Sequence, residues 1–453
     1  MKTFVCAAIA SVASANVIGT NIGGWMVLEP WITPSFFYRF LSKPGINAEG
    51  KSEVAVDSYT LCEVLGATEG NQMMQAHWET WVTEDHIKQL SERDVEVIRV
   101  PIGDWTFTQY GPYVGCMDGA KEWITKLMDW SATYGVKVLI DVHAQKDSQN
   151  GFDNSGRAYK MEWIDANHFK HWSIESADWI GTFDMTTWSY TSLNIDNVQH
   201  SLKVVEDIMK EWGSHPALYA VEPVNEPWWN TPRDWLSDFY RSARDIVRAY
   251  NPDTLFVFHD AFDSSSSWNA LFEDDDMTNV VMDTHAYMAW WEHKNDTWMY
   301  CNDYEGVMAS LDSVKYPIWI GEWSLATDVC AFWLGGFNDS NTAYQFECDW
   351  VPCPVTYLPE PFVYYPDVNA AMLGPIGESD RSAVRYGTCA TDSTWFTDAN
   401  TQELADCVHE AFEKHVAGQF LWNFRNELEI KWSYLLAYDK GWLNHSSNKT
   451  FLS

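Results

Sequence analysis

Leu218-Tyr219-Ala220-Val221-Glu222-Pro223-Val224-Asn225-Glu226 is a strand-like, largely apolar run that ends in a carboxylate. A run this apolar fits a parallel strand covered on both faces better than a strand with one face in water. Seven further β-like runs surround it, at 17–25, 95–102, 137–144, 254–260, 280–287, 317–323 and 419–424. Helical patterns lie between them. Thr83 reads as an N-cap ahead of Glu84 and Asp85, with Ile87 and Leu90 on a common face. Other helices are predicted near 121–134, 198–212, 234–250, 304–314 and 402–415. Eight alternations of strand and helix predict an α/β protein of the (β/α)8 barrel class rather than an open sheet. Functional side chains in such barrels stand at the carboxyl ends of the strands. The count puts Glu226 at the end of the fourth strand and Glu322, in Pro317-Ile318-Trp319-Ile320-Gly321-Glu322-Trp323, at the end of the seventh.

The interval 338–394 breaks the alternation and carries Cys348, Cys353 and Cys389. Only one strand remains after it, so it is expected to be a disulfide-tied insertion over the barrel mouth rather than a second domain. Lys2, the apolar stretch 4–9 and Ala13-Ser14-Ala15 read as a signal peptide over residues 1–15, leaving 16–453 as one domain with a polar tail at 444–453. Removing Cys6 with the signal leaves Cys62, Cys116, Cys301, Cys330, Cys348, Cys353, Cys389 and Cys407, an even set suited to disulfides whose pairing the sequence does not choose. Sequons at Asn295, Asn338, Asn444 and Asn448 agree with a secretory route. No later segment is apolar for long enough to span a bilayer. The expectation is a soluble, secreted monomer.

A net charge of -35 argues against nucleic acid and anionic lipid as partners, because both would be repelled at long range. The chain also holds 27 tryptophans, more than a core alone calls for, and flat aromatic faces stack well on the C–H faces of pyranose rings. Two glutamates at strand ends, each beside tryptophan, supply what cleavage of a glycosidic bond requires: one acid, and one nucleophile or base. That chemistry needs no metal or cofactor, and the histidine spacing does not suggest a metal centre.

The motifs together resemble glycoside hydrolase family 5, and within it the fungal-type exo-β-1,3-glucanases. Asn21-Ile22-Gly23-Gly24-Trp25-Met26-Val27-Leu28-Glu29-Pro30-Trp31-Ile32-Thr33-Pro34-Ser35 resembles the family's first-strand signature, and Arg99-Val100-Pro101-Ile102-Gly103 its second. Asp141-Val142-His143 with Ser148-Gln149-Asn150-Gly151-Phe152-Asp153-Asn154-Ser155-Gly156 resembles the third strand and its loop. Asn225-Glu226-Pro227, His259-Asp260-Ala261-Phe262, His285-Ala286-Tyr287, Gly321-Glu322-Trp323-Ser324 and Leu421-Trp422 complete the family order. Two departures stand out: the histidine run of strand six is shortened to Thr284-His285-Ala286-Tyr287, and the family's Trp-Lys-Thr-Glu is replaced after Trp422 by Asn423-Phe424-Arg425-Asn426-Glu427.

The resemblance implies a retaining double displacement on a β-glucan, releasing glucose from non-reducing ends. By motif match Glu322 is the nucleophile and Glu226 the acid, later the base. Arg99 would hold Glu322 ionised, with Tyr287 on the same side. Burial beside Trp228, or the neighbourhood of His285, would raise the pKa of Glu226 so that it keeps its proton. Asn225 would bond the sugar 2-hydroxyl, and His143 and His285 would orient hydroxyls and carboxylates. Trp422 would floor the innermost sugar site, with Glu29 and Asp141 binding or positioning polar groups. Phe152 and Trp290 match the entrance aromatic pair that holds the next sugar. The rival expectations are an endo-acting or β-1,4- or β-1,6-specific member of the family, and an inactive wall-associated glucan-binding protein.

Overall fold

The computed structural model describes residues 16–40, 43–158, 161–163, 168–171, 177–184, 186–273, 275–292, 294–328, 334, 355–365, 376–377 and 397–443. Within them eight parallel strands close a barrel in chain order: β1 Val17–Asn21, β2 Val97–Gly103, β3 Lys137–Ala144, β4 Leu218–Glu222, β5 Leu255–His259, β6 Val280–His285, β7 Ile318–Trp323 and β8 Gly418–Leu421. β1 pairs with both β2 and β8, which completes the ring. The expected eight strands are all present. The fourth is shorter than its apolar run, since Pro223 has no N–H with which to continue the ladder and 223–226 turn away as loop. The first stops at Asn21 for a related reason: the apolar residues Ile22 and Trp25 pack in the loop above the barrel, around Gly23 and the left-handed Gly24.

The helices are α1 Ser58–Trp81, α2 Glu84–Glu92, α3 Ala120–Tyr134, α4 Ile195–Trp212, α5 Arg233–Tyr250, α6 Thr297–Ser310, α7 Asp398–His415 and the short α8 Tyr434–Asp439. α2 opens as read from the sequence, with the Thr83 hydroxyl accepting from the His86 N–H and the His86 side chain reaching back to the Thr83 N–H. α5 shows the clean spacing of a helix seated on a barrel, burying Leu236, Phe239, Tyr240, Ala243 and Val247. α1 was not expected: Gly66, at φ 66°, kinks it between a short buried patch at Ser58, Leu61 and Cys62 and a second stripe at Gly70, Met73, Met74, His77, Trp78 and Trp81. α6 begins earlier than expected, at a cap where the Asp296 carboxylate accepts from the Trp298 N–H, because its first turn exposes Trp298 and Met299 and shows no apolar period.

Two disulfides join helices to their surroundings, Cys62–Cys116 from α1 to the loop before α3, and Cys301–Cys407 between α6 and α7. Cys330, Cys348, Cys353 and Cys389, the sequons at Asn338, Asn444 and Asn448, the signal segment and the polar tail lie outside the described residues. Two described pieces of the insertion contact the rest of the chain, one at the strand 168–171 and one at α1. Ile376–Gly377 pairs with His168 and Phe169, which follow β3, and Tyr357 meets His77 Nδ1 at 2.7 Å through its hydroxyl. None of the described helices is long and apolar enough to cross a membrane.

Candidate active site

Inward-facing residues in each strand follow the period of two, and their chemistry changes with height. At the amino ends Val17, Val97, Leu139, Ala220, Leu255, Val257, Val281, Trp319 and Phe420 form a closed apolar plug. One step higher on the same faces stand Asn21, Arg99, Asp141, Glu222, His259 and Asp283, and one step above those His143 and His285. The alternation therefore delivers charged groups to the carboxyl end of the barrel. β7 reaches the same level by irregularity. Its register against β6 shifts so that His285 faces Glu322, and Gly321 leaves room for Asp283, whose carboxylate oxygen a Cβ at 321 would meet at 2.2 Å. The Gly321 N–H donates to Asp283 Oδ1 at 2.7 Å.

Arg99 is fully buried and organises this level. Its Nε donates to Glu222 Oε2 at 2.9 Å, and its Nη1 to Glu322 Oε1 at 2.9 Å and Asn21 Oδ1 at 3.1 Å. Its Nη2 donates to Asn225 Oδ1 at 2.7 Å and lies 3.1 Å from Asp141 Oδ2. With Asp283 Oδ2 4.0 Å from Nη2, four carboxylates surround one guanidinium and cannot all be ionised without an uncompensated buried charge. Burial pushes Glu222 well above the usual carboxylate range, against the opposing pull of Arg99, so it relieves the excess by holding a proton.

Glu322 also accepts the Tyr287 hydroxyl, at 2.7 Å on Oε2. Glu226 sits four residues past the end of β4 in a left-handed conformation, φ 42°, which a non-glycine residue keeps only when its surroundings enforce it. Its Oε1 lies 2.7 Å from His285 Nδ1, and its Oε2 accepts from Asn154 Nδ2 at 3.3 Å. The same His285 Nδ1 is 3.5 Å from Glu322 Oε2, so one imidazole nitrogen touches both glutamates. His285 Nε2 faces Asp283 Oδ2 at 3.2 Å. On the opposite wall His143 Nδ1 meets Asp141 Oδ2 at 2.6 Å, its Nε2 lies 3.4 Å from Asn225 Nδ2, and its ring stacks on Trp422 at 5.3 Å.

The protonation pattern differs from the sequence expectation in both glutamates. Burial alone would raise Glu226, but the hydrogen bond and charge of His285, followed by His259 and His143, outweigh it and hold the carboxyl down at about 2. His285 is correspondingly raised well above its ordinary 6.5, since Glu322, Asp283 and Glu226 overcome its own burial. Glu322 is raised, by burial and then by Glu226, and the opposing pulls of His285 and Arg99 do not reverse it. One proton is thus shared between Glu226 and His285, with the imidazole as its resting side. Asp153 is raised to about 7, and Glu29 well above 4.5, by burial first and by carboxylate neighbours second.

Of the remaining expected residues Glu29 is buried, and only the aromatic pair reaches the surface. Glu29 accepts from Trp31 Nε1 at 3.0 Å, and its ionisation is felt by Glu226 and Glu322 without direct contact. Trp290 is 48% exposed and stands edge-on to Tyr287, while Phe152 stands edge-on to Trp228. The sequence reading quoted Glu222 and His259 within motifs but assigned a role in the site to none of Glu222, His259 and Asp283. Carrying the inward parity of β4, β5 and β6 through the motifs finds all three.

Glu226, His259 and His285 have donor atoms within 4.8 Å of one another, close enough to suggest a metal. The donor set does not suit one. His259 Nδ1 accepts the Ala261 N–H at 2.9 Å, which leaves the proton on Nε2, and both nitrogens of His285 are engaged by carboxylates.

The family model described as Cellulase (glycosyl hydrolase family 5) matches residues 62–343. A protein named "Probable glucan 1,3-beta-glucosidase A" from Aspergillus fumigatus is 33% identical over 344 residues, 73% of this chain and 70% of its own. A glucan 1,3-beta-glucosidase from Blumeria graminis is 26% identical over 428 residues, 92% of this chain and 84% of its own. Among solved structures, a rutinosidase from Aspergillus niger superposes with a TM-score of 0.61 at 17% identity, over 96% of this chain and 99% of that one, which shows a common fold.

Proposed function

This chain belongs to the cellulase family, glycosyl hydrolase family 5, and we propose that it is a secreted, retaining exo-β-1,3-glucanase that removes glucose from the non-reducing ends of β-glucans. A glycoside hydrolase acting on glucans follows from the family and from relatives of the glucan 1,3-β-glucosidase type. The two disulfides between described residues favour an oxidising compartment.

The observation that carries the retaining assignment is the position of both glutamates on one nitrogen of His285, at 2.7 and 3.5 Å. Sharing one nitrogen keeps the two carboxyl groups close together, which favours the narrow spacing of about 5 Å used for retention over the wider one that leaves room for a water. Glu322, presented by Arg99 and Tyr287, attacks the anomeric carbon as the glycosidic C–O bond breaks. Glu226 delivers the shared proton to the departing oxygen. In the second half Glu226 takes a proton from water, which attacks the anomeric carbon and frees Glu322. Asn225, fixed by Arg99, is placed to bond the sugar 2-hydroxyl, an interaction that strengthens in the oxocarbenium-like transition state. Trp422, steadied by the His143 ring stacked on one side of it, supports the sugar ring with its other face.

The test is a product profile on β-1,3-, β-1,4- and β-1,6-glucans. Glucose released from β-1,3-glucan ahead of any oligosaccharide is the expected result. Oligosaccharides from internal cuts, or faster turnover of another linkage, would overturn the specificity while leaving the reaction class intact.

A further inference from the structure

The loop that follows Glu226 reads Pro227-Trp228-Trp229-Asn230 and puts an indole at the rim that the mechanism above does not use. Trp229 is 54% exposed, although tryptophan is normally well covered. The turn presenting it is built into the site. The Trp228 N–H donates to the Gln149 carbonyl at 3.3 Å, and the Thr231 N–H closes the turn on the Trp228 carbonyl at 2.8 Å. Trp228 is wedged between Phe152, edge-on at 5.9 Å, and Phe262, tilted at 5.3 Å. Phe262 is itself 41% exposed and sits with Ala261 in the left-handed region, at φ 55° and 57°, a strained arrangement that holds an aromatic ring at the mouth. Trp229 and Phe262 lie on the loops that follow β4 and β5, at the carboxyl end of the barrel where binding residues of this fold gather. Trp228 Nε1 and Asn230 Nδ2, which flank Trp229, are buried donors with no acceptor among the described residues.

We propose that Trp229 is a stacking platform for a glucose unit on the leaving-group side, beyond the sugar held between Phe152 and Trp290, so that this chain reads the length of the glucan it shortens. The leaving-group side is inferred from the chain, since Trp229 follows by three residues Glu226, the group assigned to protonate the leaving oxygen. The occupant is a sugar rather than an acidic macromolecule, because the chain carries a net charge of -35 and an indole face accepts neutral pyranose rings. The inference rests on the glucanase reading and adds a specificity-determining residue to it.

The experiment compares kcat/KM on laminaribiose, which fills only the two sugar positions at the bond cleaved, with laminaritetraose, which reaches further. Trp229→Ala is expected to lower the tetraose value about tenfold and to leave the biose value within about twofold, with Trp229→Phe restoring most of the loss. Equal losses on both substrates would mean a structural role and overturn the proposal. No loss on either would also overturn it, and an accompanying change in oligomeric state would reassign Trp229 to a protein contact. If wild-type protein cleaves neither substrate but hydrolyses another β-linked series, the linkage reading fails, and the same dimer-against-tetramer comparison in that series still decides the role of Trp229.

Discussion

The two ends of the barrel are built from the same strands and could hardly differ more. At the amino ends Val97, Leu139, Ala220, Val257, Val281 and Phe420 close a plug without a polar atom in any side chain. Two residues further along each strand, the same inward face carries Arg99, Asp141, Glu222, His259, Asp283 and Trp422. Hydrophobic burial at one end supplies rigidity, and at the other end buried charge is held in place by that rigidity. The lower end would be more stable in any protein; the upper end makes sense only if its charges act on something.

Exchanging a group at the upper end that touches the reacting atoms should give the largest effect. Glu322→Gln and Glu226→Gln are each expected to lower kcat by several orders of magnitude while thermal unfolding keeps its midpoint to within a few degrees. Near-wild-type rates in either variant would remove the role assigned to that glutamate. The mirror experiment is Phe420→Ala in the plug. Its ring is fully buried, and truncation is expected to cost about 3–5 kcal/mol in denaturant unfolding while kcat/KM at low temperature stays within about twofold. A large loss of activity with little loss of stability would show that the two ends are not separable in this way.

A smaller effect is expected from the proton shared by Glu226 and His285. The pKa of His285 is raised well above 6.5, so the pair keeps its proton beyond the pH at which a free histidine loses it, and activity is lost as pH rises through the raised pKa. Glu322 is raised above 4.5, so activity is lost on the acid side as it takes up a proton. The profile of kcat/KM should therefore be bell-shaped, with both limbs belonging to coupled groups. His285→Gln leaves Glu226 to hold the proton alone, and the basic limb is expected to move toward acid by about one pH unit or more. An unmoved basic limb would show that His285 does not store the proton.

Much of this was legible in the chain before folding. The apolar runs gave eight strands because a parallel barrel buries both faces of each, and Lys137–Ala144 agrees with its sequence reading to the residue. Runs one and four were read too long because Trp25 and Val224 are apolar for another reason, packing in loops over the mouth. α1 was missed since Gly66 breaks its period. The motifs named most of the residues that meet at Arg99 and His285, yet Glu222, Asp283 and His259 were given no role because a polar residue between apolar neighbours declares its partners only when the barrel closes. The order of the pKa values was read wrongly for the same reason. It depends on how many carboxylates share one guanidinium and one imidazole, which is a property of the assembled ring of strands rather than of any segment.

The central claim is that Glu226 and Glu322 serve one anomeric carbon from opposite sides through a glycosyl-enzyme. Proton NMR of the first glucose released from a β-1,3-glucan reads this directly, before mutarotation mixes the anomers. The β anomer should appear first and decay toward equilibrium; initial α-glucose would contradict the account.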